Sequence, residues 1–368
     1  MKIHQSVGTA DPIGQRLNDW MWRELFPEVF AASADGGSDG VRFIGAGSML
    51  DDGLPRTGLN VVLGAGTGHG PVADLHSAPK RWRVYGVRGP LSARLLGLPR
   101  AAVLTDPAVL LARHPRWQQR SLAHGRPVFV PLRMSARLGQ WQAVCALLGI
   151  DIVDPEDDAR TRIDKLAGAR LVITESLQAA VVADALRVPW VPIVLSREVA
   201  SFSWADWATT LGLEYTPLLL EPSSPLEAWR NRLLEHSAFA RIGAFHDQAR
   251  RGDGPRELAW TREQLLQERQ AAVARAAQPW RRRCSAAADA ALHAAAGLAP
   301  AAQQRLAPGP HRRMRERAAA QLQQVLVSPP RLSADSLHRG ALGRCVEAVD
   351  RLRADCRAGK FALSSGAL

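Results

Sequence analysis

From its start to about residue 220 the chain alternates short apolar, β-rich runs with stretches of helical spacing, the pattern of a parallel sheet flanked by helices. VRFIGAGSML, residues 41 to 50, reads as a strand running into small residues, and LNVVLGAGTGHG, residues 59 to 70, repeats the theme. WRVYGVRGPLSARLLGL, residues 82 to 98, reads as strand, turn and helix, with Pro90 suited to a first helical turn and Gly97 to a C-terminal cap. AAVLTDPAVLL is expected to be a further strand that stops at Asp106 and Pro107. A second set begins near residue 126: PVFVPLR as strand, ARLGQWQAVCALLG as helix, IDIVDP as strand, 159 to 169 as helix, LVITES as strand, LQAAVVADALRV as helix and WVPIVLS as strand.

Beyond about residue 225 the text changes to long helices rich in Ala, Arg, Gln and Leu, without strand text, divided by Pro and Gly clusters at GDGP, LAPGP and VSPP. The expected organisation is an N-terminal α/β half over residues 1–120, a second α/β half over 121–224 and a helical C-terminal region over 225–368. Two βαβ-type halves place their strand ends, and with them a ligand cleft, at the glycine-rich turns and at the end of LVITES.

Composition narrows the classes. Of 368 residues, 46% are hydrophobic and 22% charged, which suits a chain that folds around a sizeable core. The formal charge of +12 favours acidic partners, yet the arginines are scattered through helical text. No aromatic residues interleave with them as a nucleic-acid groove requires, so no nucleic-acid partner is expected. Cys145, Cys284, Cys345 and Cys356 lie far apart with no metal-ligand spacing, so no metal is expected. The opening residues carry no apolar leader core and no apolar run reaches spanning length, so the expected location is cytoplasmic.

The candidate chemistry lies at the strand ends. Gly45, Gly47 and Ser48 follow the first strong strand and Gly64, Gly66 and His69 the second. Such a turn either lets backbone approach closely or holds an anion on its N–H groups, and both readings stand. Arg88 stands at a strand-to-helix junction, where a guanidinium can reach an anionic ligand or pair with a neighbouring acid. Arg133 ends the strand read in PVFVPLR. Glu175 and Ser176 end the LVITES strand and Gln178 follows in the next helix, where polar side chains face a cleft or cap the helix.

The series FIGAGSML, VVLGAGTGHGP, YGVRGPLSARLLGL, TDPAVLL, VFVPLR, GIDIVDP and LVITESLQAAVVADALRVPWVP resembles the polysaccharide pyruvyl transferase family, in its exopolysaccharide (succinoglycan) branch, over roughly residues 7 to 220. The resemblance implies two Rossmann-like halves in a GT-B-like arrangement with a helical C-terminal appendage. It implies transfer of the enolpyruvyl unit of phosphoenolpyruvate onto two hydroxyls of a glycan acceptor, giving a pyruvate ketal. Phosphoenolpyruvate is the donor substrate and no cofactor is required. A peripheral contact with the inner membrane face or a lipid-linked sugar is a further expectation. Basic residues would hold the donor, with Arg88, Arg133 and His69 as candidates, and Glu175, Ser176 and Gln178 would form the catalytic segment.

This chain departs from the family pattern where it matters. A serine-leucine-histidine-glycine block is replaced by Ser176, Leu177, Gln178 and Ala179, so the expected proton-donating histidine is a glutamine, which has no ionisable proton near neutral pH. A proline-histidine pair is replaced by Pro131 and Leu132. The polar turn that usually opens the fold is replaced by Pro12, Ile13, Gly14 and Gln15, while Arg16, Leu17 and Asn18 continue it recognisably. Two outcomes follow: an active transferase in which other groups supply the missing chemistry, or a homologue that keeps the cleft as a sugar- or anion-binding module. A third is a glycosyltransferase-like reaction on the same scaffold.

Overall fold

The computed structural model describes residues 1–4, 12–30, 40–68, 70–118, 125–235, 255–296 and 308–361. The first half carries β1 (Lys2–Ile3), α1 (Pro12–Leu25), α2 (Pro27–Phe30), β2 (Val41–Ile44), β3 (Leu59–Leu63), β4 (Trp82–Gly86) and α3 (Pro90–Leu95). Its four strands form a parallel sheet in the order β1-β2-β3-β4. The second half carries β5 (Pro127–Val130), α4 (Arg133–Leu138), α5 (Trp141–Leu148), β6 (Asp151–Ile152), α6 (Ala159–Ala167), β7 (Leu171–Thr174), α7 (Leu177–Ala185), β8 (Trp190–Val194), α8 (Ser201–Ala208) and β9 (Leu218–Leu219). With β10 (Arg256–Glu257) they form a sheet in the order β10-β9-β8-β7-β5-β6, parallel except for β10. The molecule is thus two Rossmann-like α/β halves followed by a helical C-terminal part.

The central strands β3, β5, β7 and β8 are buried at every position. Helices cover both faces of each sheet, which is why these strands read as unbroken apolar runs rather than as alternation. One core cluster joins Val61 and Leu63 of the first sheet with Val128, Val130 and Val172 of the second.

Three expectations change in detail. Asp106 and Pro107 do not end a strand: Leu104 is reached through an isolated bridge between Val87 and Val103, and Pro107–Arg113 winds into a 3-10 helix. The cause is local, because Asp106 accepts from the Ala108 N–H and Pro107 starts the turn without an N–H of its own. GIDIVDP contributes only the two-residue β6, and the region beyond 225, read as strandless, supplies β10.

The C-terminal part comprises α9 (Pro225–Glu235), α10 (Arg262–Ala277), α11 (Pro279–Ala296), α12 (Pro308–Leu326) and α13 (Asp335–Arg357). A capping box at Thr261 and Gln264 starts α10. α12 lays Ala318, Leu322 and Val325 against Phe129, Trp141 and Ile173 on the outer face of the second sheet. α13 inserts Ala341, Cys345, Ala348, Val349 and Leu352 into the cluster shared by both halves. It is fixed there by Tyr85, whose hydroxyl donates to Asp355 at 2.6 Å, and by Arg344, which donates to the Leu104 carbonyl at 3.1 Å.

Candidate functional site

The carboxyl ends of β2, β3 and β4 face those of β5, β7 and β8 through α8 and the Pro107 turn, and the glycine turns meet there. Asn18 of α1 holds the first turn: its amide donates to the Ala46 carbonyl at 2.7 Å and its oxygen accepts from the Ala46 N–H at 3.0 Å and from the Trp22 indole at 2.8 Å. A Cβ at Gly45 would stand 2.5 Å from that indole nitrogen, so only glycine fits. The two turns are joined by Gly66 N–H donating to the Gly47 carbonyl at 2.8 Å. Gly64, at φ +81°, packs on the ring of Pro107, and Gly66 packs on the guanidinium of Arg88.

Arg88 is fully buried. It donates from Nε to Asp206 at 3.2 Å, from one terminal nitrogen to Ser48 Oγ at 2.7 Å and from the other to the Thr67 carbonyl at 3.0 Å. Asp206 belongs to α8 of the second half. Its Oδ1 accepts from the N–H groups of Leu91 and Ser92 at 2.8 and 2.9 Å, and its Oδ2 accepts from Ser92 Oγ at 2.6 Å. The anion that the sequence led one to expect beside Arg88 is supplied here from within the chain. Ser48 also meets Ser203 of α8 at 3.1 Å, which closes the two halves on each other.

The strand-end segment is equally bound in. Glu175 is buried; its Oε2 accepts from Leu132 N–H at 3.0 Å and its Oε1 from Leu195 N–H at 3.1 Å, so one carboxyl ties the loops after β5 and β8 to the end of β7. Burial pushes its pKa up to about 7, against the opposing pull of those N–H groups. Ser176 caps α7 by accepting from Ala179 N–H at 3.1 Å. Gln178 reaches across to the first half and donates to Asp106 Oδ2 at 2.8 Å. Because Asp106 precedes the Pro107 ring that packs on Gly64, position 178 and the second glycine turn belong to one assembly.

Arg133 lies apart from this group, its Nε 3.1 Å from Glu156 in the loop after β6. Gly14 and Gln15 fall in the first turn of α1 rather than in an open polar turn, and His69 lies outside the described residues. Two acids that complete the site were missed in the sequence. Asp106 had a signal, an Asp before Pro, which is a helix-start pair. Asp206, set among Trp204 and Trp207, had only the oddity of a lone acid on an aromatic helix. Among the described residues no group of three or more His, Cys, Asp or Glu side chains could hold a metal ion, and no helix is long and apolar enough to cross a membrane.

Fold and site together define a two-sheet α/β protein whose polar residues gather where the carboxyl edges of the sheets meet. In sequence the chain is similar to the succinoglycan biosynthesis protein ExoV of Rhizobium meliloti (strain 1021), at 36% identity over 223 residues. The match covers 58% of this chain and 66% of that protein. It is thus related to a protein of exopolysaccharide biosynthesis. No protein-family model and no solved structure matches the chain.

Proposed function

We propose that the protein is a transferase of exopolysaccharide assembly that moves the enolpyruvyl group of phosphoenolpyruvate onto a sugar of a polysaccharide or lipid-linked glycan. Similarity to a succinoglycan biosynthesis protein supports the pathway class. The observation that carries the reaction is the placement of position 178, in the first turn after β7 and 2.8 Å from a carboxylate of the opposite half. In the ketal reaction a proton adds to the methylene carbon of the donor and one sugar hydroxyl bonds to the neighbouring carbon. The second hydroxyl then displaces phosphate there, and the two hydroxyl protons are released. An acid braced by Asp106 at this position would be placed to deliver the first proton; with Gln178 there, the proton must come from another group or from water. The protein would work in the cytoplasm, peripherally at the inner membrane face where its acceptor is lipid-linked.

A second reading is favoured by the same residues. Gln178 has no proton to give, and Arg88 is already paired with Asp206, so a chain that keeps the cleft as a sugar- or anion-binding partner in glycan assembly fits the geometry as well. Mass spectrometry separates the two. The parent and Gln178→His are incubated with phosphoenolpyruvate and a panel of β-galactosides, β-glucosides and mannosides, and the mass of an added pyruvate ketal is sought. A histidine at 178 can donate to Asp106 as Gln178 does, and a positioned general acid contributes roughly 10² to 10⁴ in rate. Ketal formation that rises in Gln178→His supports the transferase reading; absence of ketal from both proteins favours the binding module.

A further inference from the structure

α10 covers the second glycine turn, although nothing in the sequence linked the C-terminal region to the cleft. Leu265 of α10 packs with Leu91 of α3 and Phe202 of α8, and one turn further on α10 places Arg269 at the glycine turn. Its guanidinium donates from a terminal nitrogen to the Gly70 carbonyl at 2.7 Å and lies over the Phe202 ring, 5.5 Å from its centroid. The side chain is only 7% exposed, and its Nε has no hydrogen-bond partner. Among the described residues it forms no ion pair. Asp51 is the carboxylate that acts on it, from beyond ion-pair distance. A buried guanidinium without an ion-pair partner is costly unless something anionic joins it. Gly68 and Gly70 beside it remain half-exposed, so a ligand can arrive from solvent.

We propose that Arg269 is an anion ligand of the cleft, receiving a phosphate or carboxylate group of a small anionic substrate at the Gly70 turn. Its unpartnered Nε and the planar fork give the bidentate geometry that such oxygens take. The assignment deepens the proposed function, on which it rests for the identity of the substrate, since phosphoenolpyruvate carries both groups. It also separates the role of Arg269 from that of Arg88: Arg88 holds the halves together through Asp206, while Arg269 has no ion-pair partner among the described residues.

The test measures binding of inorganic phosphate, pyruvate and phosphoenolpyruvate to the full chain by calorimetry and by thermal shift, for the parent, Arg269→Met, Arg269→Lys and the exposed control Arg312→Met. The parent and control should bind phosphoenolpyruvate alike, Arg269→Met at least tenfold more weakly, and Arg269→Lys in between. Phosphate and pyruvate, tested singly, show which group the guanidinium takes. In anion-free buffer Arg269→Met should melt no lower than the parent, because an unpaired buried charge has been removed. Should Arg269→Met fail to fold, Arg269→Lys decides, since losing the planar fork must still weaken binding severalfold. Equal binding by parent and Arg269 variants overturns the assignment, as does a parent that binds none of the three anions. A lower melting temperature for Arg269→Met with an intact anion response overturns it too, in favour of a brace. Arg269-dependent binding without any ketal leaves this inference standing and removes pyruvyl transfer; undiminished ketal formation by Arg269→Met does the reverse.

Discussion

Replacing Asp206 by alanine should be among the most damaging single changes in the molecule. Four donors converge on this one carboxylate: Arg88 Nε, the N–H groups of Leu91 and Ser92, and the Ser92 hydroxyl, all within 2.6 to 3.2 Å. Arg88 and Asp206 are both wholly buried, so no water can take the place of the lost acceptor. Removing one partner of a buried, hydrogen-bonded ion pair costs about 3–5 kcal/mol, most of it the uncompensated charge left behind. Against the roughly 5–15 kcal/mol that separates folded from unfolded chains, that is a large share. At a few degrees per kcal/mol for a chain of this size, the melting temperature should fall by about 5–10 °C. Asp206→Asn should be intermediate: its oxygen can still accept from Leu91 and Ser92, but its amide then faces the Arg88 donor. The pair is isolated by a double-mutant cycle with Arg88→Met, read as urea unfolding followed through tryptophan fluorescence. The double variant should be more stable than the sum of the single losses allows, by about 2–3 kcal/mol, because neither charge is then stranded. Strict additivity, or an Asp206→Ala protein within about 0.5 kcal/mol of the parent, would refute the clamp.

Other expectations follow from the same geometry. Gly66→Ala would set a Cβ 2.5 Å from the Arg88 guanidinium, which its partners prevent from moving aside, and should cost about 1–3 kcal/mol in thermal unfolding, whereas Gly309→Ala, with nothing within 4 Å, should be neutral or slightly stabilising. Glu175 and Glu227 both have pKa values pushed by burial up to about 7, so the native state holds protons that the unfolded chain releases near 4.5. Their contribution is therefore fully present below that value and is lost as pH rises through about 7, by up to about 3 kcal/mol per group. Urea midpoints between pH 5 and 8 should fall accordingly, Glu227→Gln should flatten the slope, and a parent with a level profile would contradict the assignment. A chain ending at residue 334 loses the five buried α13 side chains from the central core and should aggregate; a monomer with the parent's melting temperature would show that α13 is dispensable.

What the sequence made legible and what it hid divide along a physical line. The central strands of both halves could be read because each is a local pattern, an apolar run of four or five residues ending in small or polar ones, such as Leu59–Leu63 before Gly64 or Leu171–Thr174 before Glu175 and Ser176, whereas α1 and α8 were not read. The glycines, too, announced close approach, and at Gly45 and Gly66 the approaching groups are Trp22 and Arg88. The use made of the charges was not local. Arg88 was placed correctly at its helix start, but its anion comes from a residue 118 positions later, and nothing around Asp206 in the chain states that it will cross to the other half. The same holds in reverse for the C-terminal region, whose arginines look alike as text. Arg312 spends its charge on Glu316 one turn away at the surface, while Arg269 is carried by the docking of Leu265 to a place where, among the described residues, it forms no ion pair. Charge in a sequence is therefore a count, and which arginines are paired and which are not is decided by the packing. In this chain the polar residues at the strand ends have been drawn into bonds between the halves, and Arg269 stands on a helix that the strand pattern could not have placed at the cleft.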